Sequence, residues 1–169
     1  MCGIVGFTGT QQAAPILLSG LSKLEYRGYD SAGIAVRDGE RLAQVVKAKG
    51  RLGNLIEKTD EGKALIGTCG IGHTRWATHG GVTEVNAHPH VSGNVTLIHN
   101  GIIENYKELA ASLKTKGYTA ISETDTEVAA MLIDSLYDGD PFVALKEADK
   151  VLEGAYGFCV MFKDHPGEI

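Results

Sequence analysis

The order of strand-like and helix-like segments restricts the fold of this chain more than any other feature of its sequence. Apolar, β-prone runs lie at 2–8, 31–37, 41–48, 65–76, 95–99 and 157–163, and helical spacing marks 12–24, 104–115, 125–137 and 142–152. The dipeptide Asp38-Gly39, between the second and third runs, favours a two-residue hairpin turn and therefore an antiparallel pair. Hairpins with helices grouped after them predict an α+β fold rather than alternating βαβ units.

Composition supports one folded domain over residues 1–169 and limits its partners. Hydrophobic residues make up 43% of the chain and charged residues 22%, so there is enough apolar side chain to bury a core. Lys and Arg number 16 against 21 Asp and Glu, and the formal net charge of −5 argues against nucleic acid or an anionic membrane as a partner. The 22 glycines are about 13% of the chain, against roughly 7% in ordinary proteins, and predict many tight turns.

The two ends of the sequence carry further expectations. The N-terminus has no secretory signal, and no apolar run reaches the ~18 residues of a membrane-spanning helix, so we expect a soluble, cytoplasmic protein. The last predicted strand is followed directly by residues 164–169, with no segment to cover it. We therefore expect a domain that is truncated at its C-terminal end.

Three cysteines, Cys2, Cys69 and Cys159, lie far apart and form no Cys-x-x-Cys pair, which disfavours a disulfide scaffold or a thiolate zinc site. Cys2 follows the initiator Met1, which cells usually remove before a residue as small as cysteine. The freed α-amino group, with a pKa of about 7.7–8.0, is then a usable base beside the nucleophilic thiol. The alternative is that Cys2 packs as a small hydrophobic residue.

A polar, glycine-flanked segment at 72–81 has the residue types of a ligand clamp. Arg75 can hold a carboxylate through two parallel hydrogen bonds, and Trp76 can cover it. Thr78 and His79 can add further hydrogen bonds. The alternative is an ordinary strand end, with Arg75 paired to a surface acid and Trp76 in the core.

Two other positions have both a catalytic and a structural interpretation. Asn100-Gly101 follows a predicted strand and precedes a predicted helix, so a hairpin turn is not expected there. The Asn100 amide and the Gly101 N–H can form a two-donor oxyanion hole, or Asn100 can cap the helix. Asp125 can pair with a substrate ammonium, although a helix N-cap is the more frequent role for such an aspartate.

Five of the six histidines fall in one short stretch, which raises the question of a metal site. They are His73, His79, His88, His90 and His99. His88 and His90 can offer two imidazoles, but no carboxylate or thiol lies at a familiar ligand spacing. The metal site is therefore the weaker interpretation, and we expect no metal ion or other cofactor.

Four motifs, in this order, resemble those of the class II glutamine amidotransferases, which use an N-terminal cysteine. They are Met1-Cys2-Gly3-Ile4-Val5-Gly6, the segment from Tyr26 to Gly33, the segment from Gly72 to Gly80, and His99-Asn100-Gly101-Ile102-Ile103-Glu104-Asn105. Taken alone, the second is typical of a turn that enters a strand. No motif is decisive singly, but together they extend the resemblance over essentially the whole chain.

The resemblance implies a four-layer αββα sandwich of the N-terminal-nucleophile hydrolase type. It also implies hydrolysis of L-glutamine to glutamate and ammonia. By motif match, Cys2 is the nucleophile with its free amine as the base, and Asn100 with Gly101 forms the oxyanion hole.

The same motif match assigns the residues that bind glutamine. Arg75 holds the α-carboxylate and Asp125 holds the ammonium. Trp76, Thr78 and His79 line a loop that closes over the substrate. Arg27 supports the site close to the nucleophile.

In the family members that this sequence resembles most, two sugar-isomerase domains follow the glutaminase domain, and the ammonia goes to a sugar phosphate. The resemblance therefore implies isomerase domains as partners and a homodimer for a full-length enzyme. Three other functions stay open at this point: glutamine binding without turnover, the glutaminase domain of another class II amidotransferase, and a metal-dependent hydrolase.

Overall fold

The chain folds into two antiparallel sheets in the computed structural model, which describes residues 2–77 and 80–169. The strands are β1 (Gly3–Thr8), β2 (Ser31–Arg37), β3 (Gln44–Lys49), β4 (Cys69–Arg75), β5 (His90–Ser92), β6 (Val95–Ile103) and β7 (Gly154–Phe162). The helices are α1 (Ala13–Ser22), α2 (Leu52–Lys58), α3 (Tyr106–Thr115), α4 (Asp125–Leu136) and α5 (Pro141–Asp149), with a short 3-10 helix at Glu25–Arg27. No helix in the described part of the chain is long and apolar enough to cross a membrane.

The two sheets are each covered by helices on one face. The first sheet has the strand order β1-β4-β2-β3, and its outer face packs on α1 and α2. Leu17, Leu21, Ile34, Leu52 and Leu55 form the centre of that contact and are fully buried. The second sheet has the order β5-β6-β7 and packs on the layer formed by α3, α4 and α5.

Strand periodicity explains how the sheets stack on each other. Ile34 and Val36 point to the helices, whereas Ala35 between them joins a small cluster with Ile71 of β4 and Ile98 of β6. Each sheet therefore has one face against helices and one face against the other sheet. This arrangement confirms the predicted α+β class and the four-layer αββα sandwich.

The connection between β2 and β3 differs from the predicted two-residue turn. Val36 pairs with Gln44, so residues 38–43 form a longer loop and β3 begins at Gln44 rather than at residue 41. In this fully described loop, Gly39 alone has a positive φ, +50°, whereas the predicted turn needs two such residues. The Nε of Arg37 donates to the carbonyl of Gly39 at 2.8 Å and closes the longer loop.

Strand β6 is longer than predicted and contains the Asn100-Gly101 dipeptide. It continues to Ile103 because β7 pairs with it along its whole length, from Val95 opposite Phe162 to Ile103 opposite Gly154. The helix after it begins at Tyr106, with Asn105 at the N-cap position. The helix-cap interpretation of Asn100 is therefore wrong.

Candidate active site

A cavity of about 510 Å³ lies where the N-terminal segment, the end of β4, the middle of β6 and the start of α4 meet. Seven of the nine predicted site residues line it: Cys2, Arg27, Arg75, Trp76, Asn100, Gly101 and Asp125. The other two, Thr78 and His79, lie outside the described residues. Segments that are far apart in the sequence thus converge on a space of the size that small ligands occupy.

Strand pairing brings Cys2 to the end of β4. Gly3 pairs with Thr74 in an antiparallel register, so Cys2, which precedes Gly3, lies beside the residues that follow Thr74. The backbone N–H of Trp76 donates to the Sγ of Cys2 at 3.2 Å. Burial raises the pKa of the Cys2 thiol above its ordinary value, and the Trp76 hydrogen bond offsets only part of that rise. The thiol therefore keeps its proton at neutral pH, so a nucleophilic role requires a base.

The Asn100 side chain reaches from β6 to the N-terminal segment. Its Nδ2 donates to the carbonyl oxygen of Cys2 at 3.1 Å, and its Oδ1 is 2.9 Å from the Nε2 of His73. An amide NH₂ has two protons, so one can hold the Cys2 carbonyl while the other faces the cavity. This geometry brings a side-chain hydrogen-bond donor next to the thiol-bearing residue.

Gly101 adopts a backbone conformation that other residues rarely take. Its φ is +129°, and a Cβ at this position would lie 2.1 Å from the carbonyl oxygen of Ala155 in β7. Glycine is therefore required for β6 and β7 to approach each other at the cavity wall. The requirement explains why a glycine follows Asn100 inside a strand.

Asp125 is the first residue of α4, and it does not cap the helix. Thr124 has the N-cap role, because its side chain accepts a hydrogen bond from the Glu127 N–H at 3.3 Å. The Asp125 carboxylate is buried and accepts from the Ile103 N–H at 2.9 Å. The N-cap interpretation of Asp125 is therefore wrong, and its carboxylate lies at the cavity wall.

Arg75 and Trp76, at the end of β4, differ in exposure. Arg75 is 3% exposed, and its guanidinium donates to the carbonyl oxygens of Gly81 at 3.1 Å and Gly80 at 3.4 Å. Trp76 is 47% exposed and meets the Tyr29 ring edge-on, with the ring centroids 5.3 Å apart. The interpretation that places Trp76 in the core is therefore wrong, and Arg75 is a buried side chain at the strand end.

Asp30 lies next to this site, and sequence reasoning missed its contacts. Its carboxylate accepts hydrogen bonds from the Ala77 N–H and, at 2.9 Å, from the Ser31 hydroxyl. Its own N–H donates to the Arg75 carbonyl at 3.2 Å. Asp30 thus fastens the segment that carries Arg27 to the end of β4. Ordinary turn chemistry accounts for an aspartate at this position equally well, so the sequence gives no separate signal.

Four residues of the histidine-rich stretch are buried close together in one cluster: His73, His88, His90 and His99. Two of them, His88 and His99, line the cavity. The ring centroids of His73 and His88 are 4.1 Å apart, and those of His88 and His90 are 5.0 Å apart. The Thr126 hydroxyl lies 2.7 Å from the Nε2 of His88 and 2.9 Å from the Nδ1 of His99. Across residues 2–77 and 80–169, no group of three or more His, Cys, Asp or Glu side chains is placed to hold a metal ion.

Burial of these imidazoles predicts that folding stability falls in mild acid. Burial lowers the pKa of His73 to about 4, and lowers the pKa values of His88 and His90 well below the ordinary histidine value. Stability is therefore fully present above about pH 6.5 and declines below it, because the unfolded chain binds protons that the folded chain does not. Each such histidine lowers the unfolding free energy by up to about 1.4 kcal/mol per pH unit in that window.

Urea unfolding between about pH 7.5 and 5 measures this decline. The His73→Gln variant is expected to show a shallower slope than the unmodified chain. His165→Gln is the matched control, because His165 lies outside the cluster and contacts Glu168 near the surface. A His73→Gln slope equal to that of the unmodified chain would contradict the role of His73 in the pH dependence.

Comparison with known proteins relates this cavity to a family. The family model described as "Glutamine amidotransferase domain" matches residues 73–167. The chain is similar to the glutamine–fructose-6-phosphate aminotransferase (isomerizing) of Clostridium tetani, with 52% identity over 171 residues that cover 100% of this chain and 28% of that protein. The protein of the same name from Thermus thermophilus is 55% identical over 167 residues, covering 98% of this chain and 27% of its own length. The chain thus spans little more than a quarter of these curated relatives.

Solved structures with the same architecture are also similar to this chain. The glutamine phosphoribosylpyrophosphate amidotransferase from B. subtilis, complexed with ADP and GMP, superposes with a TM-score of 0.83 at 30% identity, covering 96% of this chain and 35% of that chain. A structure described as the allosteric regulatory enzyme of purine biosynthesis gives a TM-score of 0.82 at 32% identity, covering 96% of this chain and 36% of the other.

Proposed function

Because this chain belongs to the glutamine amidotransferase domain family, we propose that it hydrolyses L-glutamine to glutamate and ammonia with Cys2 as the nucleophile. The observation that carries the proposal is the position of the Cys2 thiol at a cavity whose wall also presents Asn100, Gly101, Arg75 and Asp125. Around one space of amino-acid size lie a nucleophile, two hydrogen-bond donors, a cation and an anion. Glutamine offers a reactive amide, a carboxylate and an ammonium to match them.

In the proposed reaction, the Cys2 Sγ attacks the side-chain carbonyl carbon of glutamine. The α-amine of Cys2, freed by removal of Met1, takes the thiol proton and passes it to the leaving ammonia. The C–N bond breaks and a thioester with the glutamyl group remains. Water then attacks the thioester, which releases glutamate and returns the proton to the thiol. Met1 itself lies outside the described residues.

Asn100 and Gly101 stabilise the negative charge that develops during the reaction. The Asn100 Nδ2 and the Gly101 N–H donate to the oxyanion of each tetrahedral intermediate. Arg75 binds the α-carboxylate and Asp125 binds the α-ammonium, which do not change charge. Trp76, Thr78 and His79 cover the bound glutamine, and Arg27 supports the cavity wall near Cys2.

Release of ammonia from glutamine by the purified chain tests the proposal. The assay is run with and without a chelator, and glutamine binding is measured in parallel by calorimetry. The account predicts ammonia release that the chelator does not reduce. Binding without ammonia release would support a glutamine-binding domain without turnover, and activity lost to the chelator would support the metal-dependent alternative.

For Asp125, the structure points to asparagine rather than alanine as the informative substitution. Asp125→Asn removes the charge but keeps an oxygen that can accept from the Ile103 N–H. We expect KM for glutamine to rise by about 10- to 100-fold with kcat nearly unchanged, because a charge-assisted hydrogen bond contributes about 1.5–3 kcal/mol. Steady-state kinetics measures both constants, and an unchanged KM would contradict the ammonium-binding role.

The matched variant is Asp125→Ala, which also leaves the buried Ile103 N–H without an acceptor. That variant should lower the unfolding free energy by about 1–3 kcal/mol more than Asp125→Asn does. Urea unfolding of the two variants therefore separates the structural contribution of Asp125 from its contribution to substrate binding.

The role in a longer protein is also a proposal, since the curated relatives are far longer than this chain. In such a protein, the ammonia would convert fructose 6-phosphate to glucosamine 6-phosphate on isomerase domains, in a cytoplasmic homodimer. The 169-residue chain alone should release ammonia but form no glucosamine 6-phosphate. Detection of the amino sugar phosphate with this chain as the sole protein would contradict the assignment of the acceptor reaction to other domains.

A further inference from the structure

His73 lies in the middle of β4, behind two residues that line the cavity, Asn100 and His88. It pairs with Ile4 of β1 and Gly33 of β2, and its side chain is fully buried. Its Nε2 is 2.9 Å from the Oδ1 of Asn100 in the second sheet. The contact therefore joins the two sheets immediately behind the proposed oxyanion hole.

The hydrogen-bond chain from Cys2 to His73 has one consistent direction. The carbonyl oxygen of Cys2 can only accept, so the Asn100 atom 3.1 Å from it must be the NH₂ group. The other end of the amide, Oδ1, must then face His73. Oδ1 also only accepts, so the Nε2 of His73 carries the hydrogen. The Cys2 carbonyl thus sets the orientation of Asn100, and that orientation sets the tautomer of His73.

We propose that His73 is a positioning residue, which holds the Asn100 amide with its NH₂ group toward the reacting centre. This inference rests on the proposed glutaminase function. Without a donor at position 73, the Cys2 carbonyl is the one remaining hydrogen-bond partner of the Asn100 side chain among the described residues. The amide is then held less firmly and can rotate by half a turn to present Oδ1 to the developing oxyanion. That orientation replaces a stabilising donor with a repelling acceptor.

The surroundings of His73 keep its ring in place. The ring lies against that of His88, with centroids 4.1 Å apart and an interplanar angle of 37°. His88 is in turn anchored through its Nε2, 2.7 Å from the Thr126 hydroxyl. Burial keeps His73 neutral at physiological pH, since its pKa is lowered to about 4. The hydrogen bond between His73 and Asn100 is therefore the same throughout the physiological pH range.

A double-mutant cycle tests the proposal. We expect His73→Leu to lower kcat by about 10- to 100-fold, less than the loss of the Asn100 donor itself, while KM changes by less than about twofold. His73→Gln supplies an N–H donor again and should recover most of kcat. In the Asn100→Ala background, His73→Leu should change kcat by less than about twofold, because its target is absent.

His90→Leu is the matched control for removal of a buried imidazole, because the Nε2 of His90 contacts Thr124 and not Asn100. Its effect on kcat should be the same in both backgrounds, whatever its size. Additive effects of His73→Leu and Asn100→Ala would overturn the proposal. A failure of His73→Gln to recover activity in a folded protein would do the same.

A spectroscopic measurement keeps this inference separate from the proposed function. The two side-chain amide protons of Asn100 can be assigned in NMR spectra by their loss in Asn100→Ala. We expect them to shift and exchange faster in His73→Leu, but to stay close to their original positions in His73→Gln and His90→Leu. If the unmodified chain released no ammonia, the proposed function would fail, and unchanged Asn100 signals in His73→Leu would independently overturn the positioning role.

Discussion

Replacement of Cys2 by alanine is expected to lower kcat for glutamine hydrolysis by about 10⁴-fold or more, the scale of losing a covalent nucleophile. The substitution removes the sulfur that forms the thioester but leaves Arg75 and Asp125 in the cavity wall. Affinity for glutamine should therefore change by less than about threefold, because those two groups supply binding common to the ground and transition states. Ammonia release and calorimetric binding measure the two quantities on the same sample.

Cys159→Ser is the matched control for this result. Cys159 lies on β7 away from the cavity, and burial raises the pKa of its thiol to about 11, so it is fully protonated at neutral pH. The control variant should keep its activity. Substantial activity in Cys2→Ala, or a comparable loss in Cys159→Ser, would contradict the assignment of the nucleophile.

Asn100→Ala is expected to produce the second-largest loss, about 10²–10³-fold in kcat with a modest change in KM. The amide donor meets negative charge that exists only in the tetrahedral intermediates, so its removal acts on the chemical step. The variant also loses the hydrogen bond to the Cys2 carbonyl, 3.1 Å away, which can loosen the nucleophile. Steady-state kinetics separates the two constants.

Asn105→Ala is the matched control for Asn100→Ala. The Asn105 Nδ2 also donates to a backbone carbonyl, that of Val151 at 2.8 Å, but it lies at the exposed start of α3. This variant should keep kcat. If Asn100→Ala raised KM alone and left kcat intact, Asn100 would be a binding residue and not part of an oxyanion hole.

The sequence predicted the fold class because local patterns were sufficient for most elements. The β-prone run of β2 and the apolar spacing in α1 are visible without any knowledge of their partners. The missing elements were short or depended on distant partners. Helix α2 has only seven residues, including Gly53, and β5 has only three. The true end of β6 depends on its pairing with β7, which begins at Gly154. No local pattern reveals that pairing.

The candidate site was predicted from residue types in separated motifs and from the resemblance of those motifs to a known family, and the described part of the chain brings seven of the predicted residues to one cavity. The interpretations of Asp125 and Asn100 as helix caps were wrong for specific reasons. Thr124 caps α4, so Asp125 is available to the cavity, and Asn100 lies inside a strand. The contacts of Asp30 and His73 could not be predicted, because each depends on a partner that the fold brings from a distant part of the sequence.

Covalent labelling with a glutamine analogue that carries an electrophilic diazoketone tests the central claim most directly. The analogue occupies the glutamine site and alkylates the nucleophile, and peptide mapping by mass spectrometry identifies the modified residue. The account predicts a single adduct on Cys2, in a peptide that lacks Met1, with labelling suppressed by excess glutamine. An adduct on Cys69 or Cys159, or an active protein that retains Met1 throughout, would contradict it.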